Sequence, residues 1–143
     1  MRLANKVALI TGAGKGIGAA IAKRFASEGA KVALFDVDED HASQVAADIQ
    51  AAGGEATAYR VDVTDRQAIE TAVQKVLSSY ETIDILVNNA GINRDAMLHK
   101  MSEADWDLVM NINLKGYFNM VQAVYGLMRE KNYGKIINVS SAG

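Results

Sequence analysis

The sequence predicts an α/β fold, a doubly wound parallel sheet of five strands ordered 3-2-1-4-5 with helices on both faces. Three observations predict it. Short apolar runs alternate with longer stretches of helical period along the whole chain. A glycine-rich stretch sits between the first apolar run and the first helical stretch. The 143 residues contain no proline, against an average near 5%, which fits long regular elements joined by short links. Alternation of this kind places parallel strands beside one another through right-handed crossovers.

The first run, Val7-Ala8-Leu9-Ile10, is too short for a helix and reads as a strand buried on both faces. Thr11-Gly12-Ala13-Gly14-Lys15-Gly16-Ile17-Gly18 follows, and Ile17, Ala20, Ile21 and Phe25 then give one face of a helix. Strand, glycine turn and helix make a phosphate-binding geometry. Glycines let the backbone turn tightly and approach a pyrophosphate, whose charge meets unpaired N–H groups at the helix N-terminus. Gly14-Lys15-Gly16-Ile17-Gly18-Ala19 is one framing of the dinucleotide fingerprint. Taken alone the motif is weak evidence, since a glycine turn with no ligand has the same pattern. A Walker-type loop is excluded, because Lys15 is followed by Gly16 and not by the Ser or Thr that would hold magnesium.

Composition narrows the class further. Half the residues are hydrophobic and 143 residues bury a real core as one domain. No apolar run approaches membrane-spanning length and Met1 to Asn5 lead directly into the first strand, so neither a signal peptide nor a membrane span is expected, and a cytoplasmic location is. With no cysteine there is no disulfide framework or thiolate metal site. A net charge of -2 with interspersed signs offers no basic face for nucleic acid. His41 and His99 are far apart in sequence, and no metal site is expected.

Gly29 closes the first helix in the manner of a C-cap, and Lys31-Val32-Ala33-Leu34-Phe35 reads as the second strand. Asp36 stands at its carboxyl end, 24 residues beyond Gly12, near the ~20-residue offset at which an acid bonds the adenosine ribose hydroxyls of NAD. The same carboxylate repels a 2′-phosphate, whereas Lys15 would attract one, so NAD(H) is favoured with NADP(H) possible. Asp36 is otherwise an acid near a helix N-terminus, with Asp38 as the cap. Ala42, Val45, Ala46 and Ile49 mark the second helix, closed by Gly53-Gly54. Ala56 to Val61 reads as the third strand, with Asp62-Val63 just past it. Thr64 and Gln67 form a capping-box pattern for a third helix that turns Ile69, Val73, Val76 and Leu77 inward. Asp62 suits either an adenine amino group or the dipole of that helix.

Ile83-Asp84-Ile85-Leu86-Val87 reads as the fourth strand, running into Asn88-Asn89-Ala90-Gly91, a tight corner whose amides can satisfy neighbouring loops. Residues 92 to 101 have no period and read as a loop. Ser102 with Asp105 resembles a cap for a long helix whose inward stripe is Trp106, Val109, Met110, Leu114, Tyr117, Phe118, Val121, Tyr125 and Met128. Asn113 falls in that stripe and needs a partner, either a structural bond or a water or catalytic group. Gly134 caps the helix, Lys135 to Val139 reads as the fifth strand, and Ser140-Ser141-Ala142-Gly143 follow. The glycine loop, Asp36, Asp62, Asn88-Asn89 and Ser140-Ser141 all fall at carboxyl strand ends, where such sheets bind ligands.

With these residues in place the chain resembles the N-terminal part of the short-chain dehydrogenase/reductase family, over essentially all of its length. Thr11-Gly12-x-x-x-Gly16-x-Gly18, Asp62-Val63, Asn88-Asn89-Ala90-Gly91, Asn113 in Asn111-Ile112-Asn113-Leu114, and Ile136-Ile137-Asn138-Val139-Ser140-Ser141 occur in the family's order. Asn88 to Asp95, with Met101 and Trp106, is similar to 3-oxoacyl-[acyl-carrier-protein] reductases and acetoacetyl-CoA reductases. The resemblance implies a Rossmann fold and hydride transfer between nicotinamide C4 and a carbonyl or hydroxyl carbon. It implies that Gly12, Gly14, Lys15, Gly16, Ile17, Gly18, Asp36, Asp62, Val63, Asn89, Ala90 and Gly91 bind the cofactor. It further implies that Ser141 bonds the substrate oxygen and that Asn113 holds a proton-relay water. An acyl-thioester substrate, an acyl carrier protein as partner, and a homodimer or homotetramer are implied as well.

The family's Tyr-x-x-x-Lys pair is not among these residues, and Tyr125 with Arg129 is no substitute, since an arginine does not titrate usefully. The chain by itself is therefore expected to have negligible dehydrogenase activity, with the exposed part of the aromatic stripe and the fifth strand's edge uncovered. A binding module without chemistry and a methyltransferase are the competing readings. Lys131 and Lys135 with Arg129 form a cluster that is either solvated surface or a place for an acidic carrier.

Overall fold

The computed structural model describes residues 1–90 and 102–139. Its elements alternate strictly: β1 (Val7–Thr11), α1 (Gly16–Ser27), β2 (Lys31–Asp36), α2 (Glu39–Ala51), β3 (Glu55–Arg60), α3 (Arg66–Tyr80), β4 (Ile85–Asn88), α4 (Glu103–Glu130) and β5 (Lys135–Asn138). The five strands form one sheet ordered β3-β2-β1-β4-β5, every pair parallel. Leu9 lies level with Ala33 of β2 and Leu86 of β4, so the central strand is flanked on both sides.

Alternation along β1 sends its side chains to two separate cores. Val7 and Leu9 join Phe35, Leu86, Ile69, Val73, Val76 and the α4 residues Met120, Val124 and Met128. Ala8 and Ile10 join Val32, Leu34 and Val87 beneath Ala22, Ala26, Val45 and Ile49 of α1 and α2. Every residue of β1 is buried, which is why its run carries no polar alternation. No described helix is long and apolar enough to cross a membrane.

Helix boundaries follow local chemistry. Asp38 caps α2 by accepting from the His41 N–H at 3.1 Å, and Ser102 caps α4 by accepting from the Asp105 N–H at 3.1 Å, both as predicted. The cap of α3 is Asp65, which accepts from the Ala68 N–H at 3.1 Å, and not Thr64. Thr64 is diverted because its hydroxyl donates to Asp62 at 2.7 Å. At the end of α4 the left-handed residue is Asn132 (φ +54), not Gly134. Gly134 is needed for a different reason: a Cβ there would collide with the Met128 side chain.

Two helix faces differ from their predicted stripes. In α1 the buried residues are Gly18, Ala22 and Ala26, while Ile17 is 62% exposed. In α4 the buried residues are Gly116, Asn119, Met120, Val124 and Met128. Trp106, Met110, Leu114, Phe118 and Tyr125 of the predicted stripe are exposed. Both helices carry apolar residues on more than one side; in α1 close packing selects the side with the small residues, and in α4 the buried side joins Gly116 and Asn119 to Met120, Val124 and Met128.

An ionic lock fixes the amino edge of the sheet. Asp84, 7% exposed, accepts from the Val7 N–H at 2.8 Å and from Lys131, which also donates to the Thr82 hydroxyl. Lys131 thus ties the end of α4 to the entries of β1 and β4. Truncating it to methionine leaves a buried carboxylate short of its cation, so Lys131→Met is expected to cost about 1–3 kcal/mol. A urea midpoint unchanged from wild type would show that the lock adds nothing.

Candidate functional site

A cavity of about 500 Å³ opens at the carboxyl edge of the sheet, where β1 turns from β2 toward β4. Gly12, Lys15 and Gly16 line one side, Asp36, Asp62 and Val63 another, and Asn89 and Ala90 a third. Val37, Val61, Thr64 and Ile112 complete the wall. Eight of the sequence-predicted site residues therefore meet around one space.

The glycine loop holds its shape through contacts that demand glycine. Gly12 and Gly16 both have left-handed backbones, φ +61 and +60. A Cβ on Gly12 would stand 3.0 Å from the Ala90 backbone, and one on Gly18 would run into the Gly12 carbonyl oxygen. Gly14 and Gly18 thus serve the loop from behind the cavity wall. Beside Gly16 there is open space, so its backbone can be approached from the cavity. The side chain of Ile17 lies outside the cavity wall, exposed.

The β4 corner is bonded directly to this loop. The Thr11 hydroxyl oxygen accepts from the N–H groups of Asn89 and Ala90, each at 2.9 Å, while the hydroxyl donates to the Val87 carbonyl at 3.4 Å. The Asn89 side chain donates to the Gly12 carbonyl at 3.1 Å. Asn88, buried, donates through its side chain to that of Asn138 at 3.1 Å, and its carbonyl accepts from the Val139 N–H at 2.9 Å. Tyr117 of α4 donates its hydroxyl to the Val139 carbonyl at 2.6 Å, and burial raises its pKa, keeping that donor protonated.

Asp36 joins two turns. One oxygen accepts from the Gly14 N–H at 2.8 Å and the other from the Asp38 N–H at 2.9 Å. Asp62 accepts from both the hydroxyl and the N–H of Thr64, at 2.7 and 2.9 Å. These bonds, the hydroxyl first, lower its pKa below the ordinary 3.8, with Arg60 adding a smaller pull. One cation, Lys15, and two carboxylates thus sit on different sides of the same cavity. Asn113 lies half-buried on α4, next to the wall residue Ile112. Gly91 and Ser141 lie outside the described residues.

Several wall residues escape a reading of the sequence. Thr11 stands behind the wall; it opens the glycine motif, and its bridging role had one signal, a hydroxyl at the end of an otherwise apolar strand. Val37, Val61 and Ile112 offered none, since apolar residues beside a strand end or on a helix do not announce a cavity.

The Thr11 hydroxyl gives the sharpest stability test. Thr11→Val keeps the shape but leaves two N–H groups without their acceptor, an expected loss of about 2–4 kcal/mol that Thr11→Ser largely avoids. Equal denaturation midpoints for Val and Ser would remove that assignment. For Asp62 the lowered pKa means that its stabilising contribution is complete above the ordinary carboxylate range and is lost as pH falls through the lowered value. Carbon-13 titration of the carboxyl is expected to place its pKa below 3.8, and Thr64→Val to move it upward.

Residues 6–143 match the family described as short chain dehydrogenase. Over 141 residues the chain is 48% identical to the 3-oxoacyl-[acyl-carrier-protein] reductase FabG of Thermotoga maritima, covering 99% of this chain and 57% of that protein. It is 41% identical, with the same coverages, to the (2S)-[(R)-hydroxy(phenyl)methyl]succinyl-CoA dehydrogenase subunit BbsD of Thauera aromatica. Among solved structures it matches a metagenomic short-chain oxidoreductase in complex with NADP, with a TM-score of 0.87 and 39% identity over 99% of this chain and 64% of that one. The chain spans 57% of the length of these two curated relatives. Fold, loop geometry and sequence agree, and the chain belongs to the short-chain dehydrogenase family.

Proposed function

We propose that this chain is the dinucleotide-holding part of an NAD(P)-dependent oxidoreductase that moves a hydride between nicotinamide C4 and a carbonyl or hydroxyl carbon, with a 3-oxoacyl thioester as substrate. The observation that carries the reading is the single cavity whose wall joins the glycine loop, Asp36, Asp62 and the Asn89-Ala90 corner. The first turn of α1 holds no acidic residue and Lys15 makes no side-chain cap bond, which leaves its N–H groups for an anion. With open space beside Gly16 and carboxylates on another side, these residues fit a dinucleotide.

Bound there, the cofactor supplies the hydride. Gly12, Lys15, Gly16 and the Ile17 backbone would cradle its diphosphate, with Gly14 and Gly18 holding the loop in shape from behind. Asp36 would accept from the adenosine ribose, Asp62 and Val63 would meet the adenine, and Asn89 and Ala90 form the facing wall; Gly91, outside the described residues, is proposed to bind the cofactor with them. Asn113 holds a water for proton relay and Ser141 donates to the substrate oxygen, where charge develops. The names of the reductase and CoA-thioester relatives support a thioester substrate. An acyl carrier protein would have to approach elsewhere than the Arg129, Lys131 and Lys135 cluster. Lys131 is turned onto Asp84, and Lys135 opens β5 at the amino edge, opposite the cavity.

Asp36 favours NADH, because a 2′-phosphate would enter beside its carboxylate. Titration followed by nicotinamide fluorescence is expected to give a tighter Kd for NADH than for NADPH, by about tenfold, and Asp36→Asn to narrow that gap. No turnover of a 3-oxoacyl thioester is expected, since no tyrosine among the 143 residues has a lysine four positions on. Failure to bind either cofactor would end the dinucleotide reading, tighter NADPH would reverse the preference, and ordinary turnover would refute the inactivity.

A further inference from the structure

The turn after β3 is held between two elements that come from opposite sides. On one side the Val61 N–H donates to the Asp36 carbonyl at 3.0 Å. Within the turn the Asp65 N–H donates to the Asp62 carbonyl at 2.9 Å, and Thr64 supplies two bonds to the Asp62 carboxylate. On the other side stands α4. Asn119, 5% exposed, donates its side-chain N–H to the Val63 carbonyl at 3.0 Å.

The backbone of α4 also comes unusually close to this turn. A Cβ on Gly116 would stand 2.7 Å from a methyl carbon of Val63, so only glycine admits the approach. Ile112, Gly116 and Asn119 follow one another at helical spacing, from the cavity wall to the buried amide. A buried amide in a helix costs free energy unless it is bonded, and an apolar residue would pack the core without that demand. The amide at 119 therefore needs a reason, and the Val63 carbonyl is the one the geometry provides.

We propose that Asn119 is a positioning residue for base recognition: through the Val63 carbonyl it sets where Asp62 and Val63 stand in the cavity, with Gly116 allowing the approach. This rests on the dinucleotide reading above and deepens it, since it assigns selection of the purine's exocyclic amino group to a turn braced from α4. The Asp62 carboxylate accepts from an adenine amino group but faces a carbonyl oxygen when hypoxanthine replaces adenine. Discrimination between those bases depends on the turn's position, whereas affinity for the rest of the dinucleotide does not.

The test measures Kd for NADH and for its hypoxanthine analogue, deamino-NADH, by nicotinamide fluorescence. The wild-type chain is expected to prefer NADH by about ten- to a hundredfold, the worth of one hydrogen bond to a charged acceptor. In Asn119→Leu, and separately in Gly116→Ala, that ratio is expected to fall to about one. Ile49→Val, which trims the core on the other face of the sheet, lowers stability and should leave the ratio at its wild-type value. A ratio unchanged in Asn119→Leu overturns the proposal, as does a wild-type chain that binds both dinucleotides equally. Binding of neither dinucleotide by the wild-type chain would instead overturn the dinucleotide reading on which the proposal stands.

Discussion

The structure depends on one junction, where the loop after β1 meets the corner after β4. Thr11 and Gly12 supply two oxygens there, and Asn89 and Ala90 supply three N–H groups to meet them. Parallel neighbours at the centre of a sheet share no hairpin, so nothing in chain connectivity holds these two ends together. The hydroxyl of Thr11 does it with a single atom that accepts two bonds, and Gly12 permits the approach by lacking a side chain that would press on Ala90. Once that junction is set, α1 must start where the loop releases it. The cavity is the space left between loop, corner and the turn after β3.

The two edges of the sheet are built on different principles. At the amino edge, charge is neutralised internally: Asp84 receives Lys131 and the Val7 N–H in a largely buried setting. At the carboxyl edge, Lys15 has no carboxylate within ion-pair distance among the described residues, and the two acids bond mainly to backbone N–H and hydroxyl groups. Such bonds orient a carboxylate without cancelling its charge, so the edge keeps a field of both signs facing the cavity. The amino edge is thus closed by an internal ion pair, while the carboxyl edge, though bonded across the Thr11 junction, leaves charge uncancelled around the cavity.

Strand order and most of the site were legible in the sequence because both depend on local pattern. Val7 to Ile10 had to be a buried strand, and glycine spacing after it announced the loop. The α4 face was legible only in part: Met128 is buried and Val121 packs on the core as predicted. Trp106, Leu114 and Phe118 dominate its apolar pattern yet are exposed, while Gly116 and Asn119, which no hydrophobic scale selects, are buried against Val63 of the turn after β3. Close approach favours residues that are small or can bond a specific carbonyl, and that demand comes from Val63 of another element. The cap of α3 failed for a similar reason: Thr64 matches a capping box, but Asp62 lies two residues before it and takes its hydroxyl first.

The geometry of Asp36 bears on cofactor choice in the proposed reading. Its two oxygens already receive the Gly14 and Asp38 N–H groups, which fix the carboxylate at the mouth of the loop. A fixed charge cannot swing away from an incoming phosphate as a surface acid would. At about 4 Å the repulsion is about 1 kcal/mol per unit of charge in water, the size that the preference of about tenfold proposed above requires. Lys15, exposed and without a capping bond, reaches the same region through a flexible stem in water, where attraction is screened and side-chain entropy opposes it. In the proposed reading the held group outweighs the mobile one, and the expected preference for NADH over NADPH rests on rigidity as much as on sign.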